Sequence, residues 1–400
     1  MKIANYKVVI SECLCRRSSE LRACEVAGSP AQAFGNDRNV ELTGQHFYPL
    51  IKQKINQNKL NKVFRYSLLF IVLLSLLACS EPKVSKLQGF TMGTSYSVLI
   101  PRLPEGVTEQ TVQLEIESIL EQVNQQMSTY RQDSELSLIN QSAAMQWLKV
   151  SPELFYVIQY ARSVSEQTGG AFDITVGPLV NLWGFGPSKS ADSVKPSEEQ
   201  IARARKLLGY KSLEIKLQGL QLRKQFSELY IDLSAIAKGY GVDAVAAYLD
   251  SLSIQGYLVE IGGELKGKGH SQRGDNWRVA VEKPEPGHRM VQRVIDITDF
   301  ALATSGDYRN YFEKEGVRYS HTIDPRTGYP ISHALASVSV LSDDAMVADS
   351  WATALMVLGE EAGYKLAEEK GLAAYFLYRQ GDGFQSKETS AFTQLTKHKG

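Results

Sequence analysis

Apolar positions recur every three or four residues over 108–127, where Val112, Ile116, Ile119, Leu120 and Val123 form one stripe. That period predicts an amphipathic helix. Just before it, Tyr96, Val98 and Ile100 alternate with smaller neighbours, which predicts a strand over 90–100. Ser151 followed by Pro152 is a helix start, a capping hydroxyl with proline at the first position, and the helix should run to Gly169-Gly170. A further helix over 196–208 is closed by Gly209. From Leu213 the period shortens to that of strands, predicted at 213–217, 220–223 and 229–233. A helix over 236–252 follows, then strands near 257–261, 277–282, 292–298, 317–323 and 335–341. Helices over 344–358 and 360–370 and a strand over 373–378 complete the pattern. Strands and helices that mix without strict alternation predict an α+β fold. One domain over 89–382 is expected, with 383–400 as a loose tail.

Composition narrows the picture without naming an activity. Charges balance at 44 Lys+Arg against 44 Asp+Glu, which argues against a chain held to nucleic acid by its overall field. Cysteine is more informative: Cys13, Cys15, Cys24 and Cys79 are the four, and none follows Cys79. A disulfide framework or thiolate metal cluster is therefore excluded from the main body, and any metal there is held by oxygen or nitrogen.

Residues 59–78 place Cys79 in context. Lys59, Lys62 and Arg65 precede the apolar run Leu68 to Leu77, and the small Ala78 comes next. A basic flank, a short apolar stretch and a small-residue cleavage site predict a signal peptide, too short to span a bilayer comfortably. Leu76-Leu77-Ala78-Cys79 resembles a bacterial lipobox, which implies cleavage before Cys79, lipidation of its thiol and a polar tether over 79–88. A short anchor helix with a chance cysteine fits the same residues. Ser80 after the cysteine points, by the usual sorting rule, to the outer membrane. Residues 1–58 are left unassigned, and initiation is expected near Leu60 or Val63 from a non-Met codon.

Four segments carry residue types unusual for packing alone. The first runs Gly169 to Pro178 and on to Trp183-Gly184-Phe185-Gly186-Pro187, where glycine interleaved with aromatics suits a flat ligand, or plugs a loop. In the second, an apolar strand leads into Asp232, Ser234 is placed to cap a helix, and Lys238 lies on that helix. Free N–H groups at such a junction suit phosphate, although an ordinary βα junction with a surface lysine reads the same. In the third, His321 stands on a predicted strand before the turn Asp324-Pro325-Arg326-Thr327-Gly328, as a general base or a structural histidine. In the fourth, Asp349 and Thr353 are four apart and share a helix face. A carboxylate and a hydroxyl are hard ligands that suit Mg2+, an ion content with few protein ligands; a buried polar patch is the alternative. Asp343 and Asp344 look like helix N-terminal residues that complement the dipole.

Together these segments resemble the ApbE family of FAD:protein FMN transferases. The resemblance rests on Thr91-Met92-Gly93-Thr94, the segment 127–137, Phe172 to Leu179, Ala237-Lys238-Gly239-Tyr240 and Glu260-Ile261-Gly262-Gly263-Glu264. It continues through Thr304 to Tyr308, His321 to Pro330 and Ala348 to Thr353, in family order. The lipobox agrees with it, since many members are exported lipoproteins. The resemblance implies that FAD binds with Mg2+ on its pyrophosphate, that an acceptor threonine attacks the phosphorus on the FMN side, and that AMP leaves.

Carried over position by position, the resemblance makes Asp349 and Thr353 side-chain ligands to Mg2+ and Ala235 a ligand through its carbonyl. Met92, Tyr130, Ala171, Phe172, Asp173, Asp232, Lys238 and Ile323 match FAD-contacting positions. His321 matches the residue that activates the acceptor threonine, and Gly262-Gly263 is read as backbone geometry. Where some members carry an Asp before the ligand threonine, this chain has Ala352. The implied acceptors are flavoprotein subunits of membrane electron-transfer complexes, of the sodium-pumping NADH:quinone reductase (Nqr) or Rnf type, reached from the periplasmic side by a lipid-anchored enzyme. Mg2+-dependent hydrolysis of FAD to FMN and AMP uses the same residues. A non-catalytic FAD-holding lipoprotein is the reading from another class.

Overall fold

The computed structural model describes Arg65 and residues 84–186, 195–283, 290–307, 311–314, 317–381 and 383–397. The unassigned extension, the signal peptide apart from Arg65, and Cys79 lie outside the described residues. In chain order, a hairpin of β1 (Ser85–Thr91) and β2 (Thr94–Ile100) leads into helices α1 (Glu109–Met127) and α2 (Glu135–Gln141). Then come β3 (Leu148–Lys149), α3 (Pro152–Gln167), α4 (Gly177–Leu182), α5 (Glu198–Arg205), β4 (Leu213–Lys216) and β5 (Gln221–Lys224). Helix α6 (Ala237–Ser251) precedes β6 (Tyr257–Ile261), β7 (Glu264–Lys268), β8 (Arg278–Glu282), β9 (Val291–Asp296) and β10 (Ala301–Gly306). The chain ends with β11 (Tyr311–Lys314), β12 (Val317–Ser320), β13 (Leu335–Ser342), α7 (Ala345–Lys370), β14 (Ala373–Gln380), β15 (Gly383–Glu388) and α8 (Ser390–Lys397).

Eight strands form one antiparallel sheet in the order β1-β2-β6-β7-β10-β13-β14-β15, which makes the fold α+β as expected. Side chains alternate faces along a strand, so one strand feeds two cores. In β14, Ala374 and Phe376 join the core under α3 and α7, while Tyr375 and Leu377 join the opposite core beneath α8. Helices α1 and α6 cover the β1, β2 and β6 end, where Val98, Ile116, Val245 and Val259 are fully buried. Both faces of the sheet are thus packed, and α7, buried along most of its length, is its central support.

Several boundaries differ from the sequence reading. The predicted strand over 90–100 is a tight hairpin, turned at Met92 and Gly93 with φ of 48° and 72°. Its first strand begins at Ser85, inside the predicted tether, because residues 85–88 pair with 97–100. The strand predicted at 229–233 does not form, although Leu229, Ile231 and Leu233 are buried; the Asn140 side chain takes the place of a neighbouring strand, bonding both Ile231 N–H (2.7 Å) and Ile231 C=O (2.8 Å). The helices over 344–358 and 360–370 run on as α7, broken at Gly359, whose φ of 82° is left-handed. The tail expected to be loose is ordered: β15 completes the sheet, and α8 inserts Phe392, fully buried, against Tyr375. The strands β7, β10 and β11 and the short helices α2 and α4 were not anticipated.

Candidate active site

The charged part of the site forms where α6, β7 and α7 meet. A Cβ at position 239 would run into the Ala345 carbonyl, so glycine there lets the starts of α6 and α7 touch. This approach brings the two predicted residues Lys238 and Asp349 together, with Nζ 4.0 Å from Oδ1. The other Asp349 oxygen accepts the Gly239 N–H at 3.1 Å. Lys238 pairs more closely with Glu264, at 2.6 Å. One turn beyond Asp349, the Thr353 hydroxyl is 3.0 Å from that of Ser305 on β10. Ala235 lies partly buried just ahead of α6.

Burial sets the electrostatics. Glu260, Glu264 and Asp349 are 3%, 4% and 3% exposed, so three buried carboxylates act on one partly exposed ammonium. Desolvation pushes the Asp349 carboxyl up, partly offset by Lys238 and the Gly239 N–H. Glu264 is also raised by desolvation, against the pull of Lys238. Desolvation lifts Glu260 to about 7, although the Gly263 N–H donates to its Oε1 at 2.8 Å. Desolvation pulls the Lys238 ammonium down, but Asp349 and Glu264 outweigh it and hold the group above the ordinary lysine range.

A second group gathers around Asp232. Its N–H donates to the Ile174 carbonyl at 2.7 Å, tying the junction before α6 to the Phe172–Asp173 loop. Its carboxylate accepts from Ser234 N–H and Oγ at 2.9 and 2.5 Å, so Ser234 closes a turn on Asp232. Ser234 does not cap α6 as predicted, since the capping position is Ile236, without a side-chain bond. Tyr130 is exposed beside Asp232, and desolvation and then the Asp232 charge raise its phenol. Asp173 turns inward: one oxygen accepts from Thr175 N–H and Oγ1, the other from Tyr210 N–H at 3.1 Å. Desolvation raises this carboxyl. Asp173 thus shapes the loop, and an open cavity of about 560 Å³ borders it, walled by Arg205, Lys206, Lys211 and Arg326. Ala171 and Phe172 bury their side chains, so they can offer a ligand only backbone. Met92 sits at the hairpin tip, its methyl group where a side chain at position 241 would stand.

His321 belongs to a third group, built by turns. It follows the last residue of β12 rather than lying on the strand, and is half-buried with its ring edge-on to Phe185 at 6.3 Å between centroids. The turn beyond it is held by Asp324, which accepts the Arg326 N–H and both arms of its guanidinium at 2.9 Å each. Gly328, with φ 85°, closes that turn, and the Trp183 indole N–H donates to its carbonyl at 2.9 Å. Ile323 is buried against Leu179 and Trp183.

No group of three His, Cys, Asp or Glu side chains with metal-binding geometry occurs among the described residues. The site nevertheless fits Mg2+. The carboxylates outnumber the one ammonium, and Glu264 Oε2 is buried without a hydrogen-bond partner, so the cluster carries uncompensated negative charge that a nearby cation would offset. The Asp349 carboxylate and Thr353 hydroxyl are hard donors of the kind Mg2+ accepts, with waters and substrate phosphates completing its shell. Ala352, where some chains of this pattern carry Asp, is fully buried in the main core. The sequence reading missed Glu260 and Glu264 as functional candidates; two acids bracketing a Gly-Gly turn were the available signal.

The chain is thus an antiparallel α+β protein with a lysine set among buried carboxylates. The ApbE family pattern matches residues 92–376, and the chain belongs to that family. It is 48% identical over 321 residues to the FAD:protein FMN transferase of Vibrio cholerae, covering 80% of this chain and 95% of that one. With the protein of the same name from Escherichia coli K12 it shares 40% over 306 residues, covering 76% and 87%. The solved structure of the flavin transferase ApbE from Vibrio cholerae matches with a TM-score of 0.73 at 46% identity, covering 78% and 99%.

Proposed function

We propose that this chain transfers FMN from FAD to a threonine hydroxyl of an acceptor protein, with AMP as the other product. The observation that carries this reading is the buried contact of Lys238 with Asp349, one helical turn from Thr353, in a chain of the ApbE family. Lys238 supplies a partly buried positive charge for the FAD phosphates, where charge neutralisation and positioning provide most of the catalysis. Asp349 and Thr353, with the Ala235 carbonyl, would hold Mg2+. Bound there, the ion neutralises charge on the attacked phosphate and the leaving phosphate. Tyr130, Asp232, Met92, Ile323 and the 171–173 backbone would contact FAD, a role that rests on the family pattern. His321 accepts the threonine proton as the threonine oxygen bonds to phosphorus and the phosphoanhydride bond to AMP breaks.

The acceptors we propose are subunits of membrane electron-transfer complexes of the Nqr or Rnf type. A lipid on Cys79 would hold the enzyme on the periplasmic face. Both rest on the sequence pattern and the family.

The test incubates the purified chain with FAD, Mg2+ and a candidate acceptor domain, read by intact-protein mass spectrometry. The expected result is an acceptor mass gain of one FMN less one water, abolished by EDTA. Release of AMP without a gain by any threonine acceptor tried would make FAD hydrolysis the activity. FAD bound with neither product formed would leave a flavin-holding lipoprotein.

A further inference from the structure

Lys238 is shared unequally between two buried carboxylates. Its ammonium lies 2.6 Å from Glu264 Oε1 and 4.0 Å from Asp349 Oδ1. A charged hydrogen bond closes to about 2.8 Å, so Lys238 is bonded to Glu264 and only near Asp349. The second Asp349 oxygen is already taken by the Gly239 N–H. Oδ1 is therefore the atom that Asp349 has to offer a cation, and an ammonium seated on it would compete for the same place.

The β6–β7 turn sets this geometry. Gly262 has φ of 62°, and a Cβ there would press on Thr94 and come within 3.3 Å of Lys238 Cδ, so the turn leaves room for the lysine stem. Gly263 donates its N–H to Glu260, which pins the turn. Glu264 is the first residue of β7 after this turn, and its side chain is 5% exposed.

We propose that Glu264 is a positioning residue: by holding the Lys238 ammonium off Asp349, it keeps Asp349 Oδ1 open for the divalent cation. This rests on the Mg2+ reading above. It assigns Glu264 no contact with FAD or the ion. Its effect passes through Lys238, and that gives it a signature no merely structural role would share.

The experiment titrates Mg2+ into the full chain with FAD and follows FAD binding by flavin fluorescence. Melting in EDTA confirms that each variant is folded. Glu264→Gln should raise the Mg2+ midpoint about tenfold, and Glu264→Asp should raise it less. In a Lys238→Met background, the same Glu264→Gln change should shift the midpoint by less than about twofold, because the competing ammonium is gone. The neutral double variant also supplies the reading should Glu264→Gln alone fail to fold: its midpoint is expected to match that of Lys238→Met. An unchanged midpoint in Glu264→Gln overturns the proposal. So does a loss of equal size with and without Lys238, which would make Glu264 act on the ion directly. FAD binding by the wild-type chain that is indifferent to Mg2+ overturns the cation reading, and this proposal with it.

Discussion

The Asp349 cluster and the His321 turn reach their geometry by opposite means. Lys238, Glu264 and Asp349 are placed by tertiary packing: two helices in contact at Gly239 and a strand beside them, with the carboxylates almost wholly buried. His321 and Ile323 are placed by local hydrogen bonds, Asp324 folding its own turn and Trp183 latching it at Gly328. Packing supplies a low dielectric, in which charges act strongly and proton affinities move. A turn supplies position at a half-exposed surface, which suits a group that must meet an incoming protein. In the function proposed above, the first arrangement would serve FAD, and His321 in the second would serve the acceptor.

The sharpest way to separate the two regions is to delete one functional group from each. Asp349→Ala removes the carboxylate proposed to hold the metal and leaves Lys238 with Glu264 as its ion-pair partner. Transfer should fall about a thousandfold or more, with Mg2+-dependent FAD binding weakened in step. Wild-type FMN incorporation by mass spectrometry in this variant would remove the metal assignment. His321→Ala should slow transfer about 100-fold or more near neutral pH, with FAD affinity nearly unchanged. A pH–rate profile should lose its acidic limb. A collapse of FAD binding instead would move His321 to the cofactor side.

Stability against pH distinguishes the regions next, since the packed cluster holds two carboxyls raised to about 7, those of Glu264 and Glu260. A carboxyl whose folded pKa is above its unfolded value binds protons better in the native state. Its contribution is complete below the unfolded value of 4.5 and is lost as pH rises through about 7. Urea unfolding in EDTA should therefore show stability falling across that window, by roughly 3 kcal/mol for Glu260 alone. Glu260→Gln should make the fall shallower, with Glu264 carrying the remainder. An equally steep fall in the variant would place the titration elsewhere.

The same contrast explains what the sequence revealed. Turn chemistry is local, so the Asp324 to Gly328 segment was readable as a rigid turn next to His321. The Asp349–Thr353 pairing was readable from helical spacing. The partnership of Lys238 with Glu264 was not, because it depends on α6 lying against β7, which no local pattern specifies. The segment 229–233 shows the limit from the other side. Its alternating Leu229, Ile231 and Leu233 correctly signalled burial, yet its partner is a side chain 91 residues upstream, Asn140. In α8 a mostly polar sequence concealed a docked element, because its one large aromatic, Phe392, is what the core requires.

The smallest effect expected tests whether the two regions are independent. Trp183→Phe keeps the ring that stacks on Tyr319 but removes the N–H that holds the Gly328 carbonyl. Leaving that buried acceptor unpaired should cost about 1–2 kcal/mol of stability, measured by urea unfolding. The turn it latches carries His321, so acceptor modification should slow a few-fold with the FAD concentration dependence unchanged. The Asp349 cluster shares no hydrogen bond with Trp183, so the Mg2+ midpoint should stay at the wild-type value, as for sites without shared partners. A shift in that midpoint would show that the latch and the packed cluster are one mechanical unit, and the separation of cofactor and acceptor duties between them would fail.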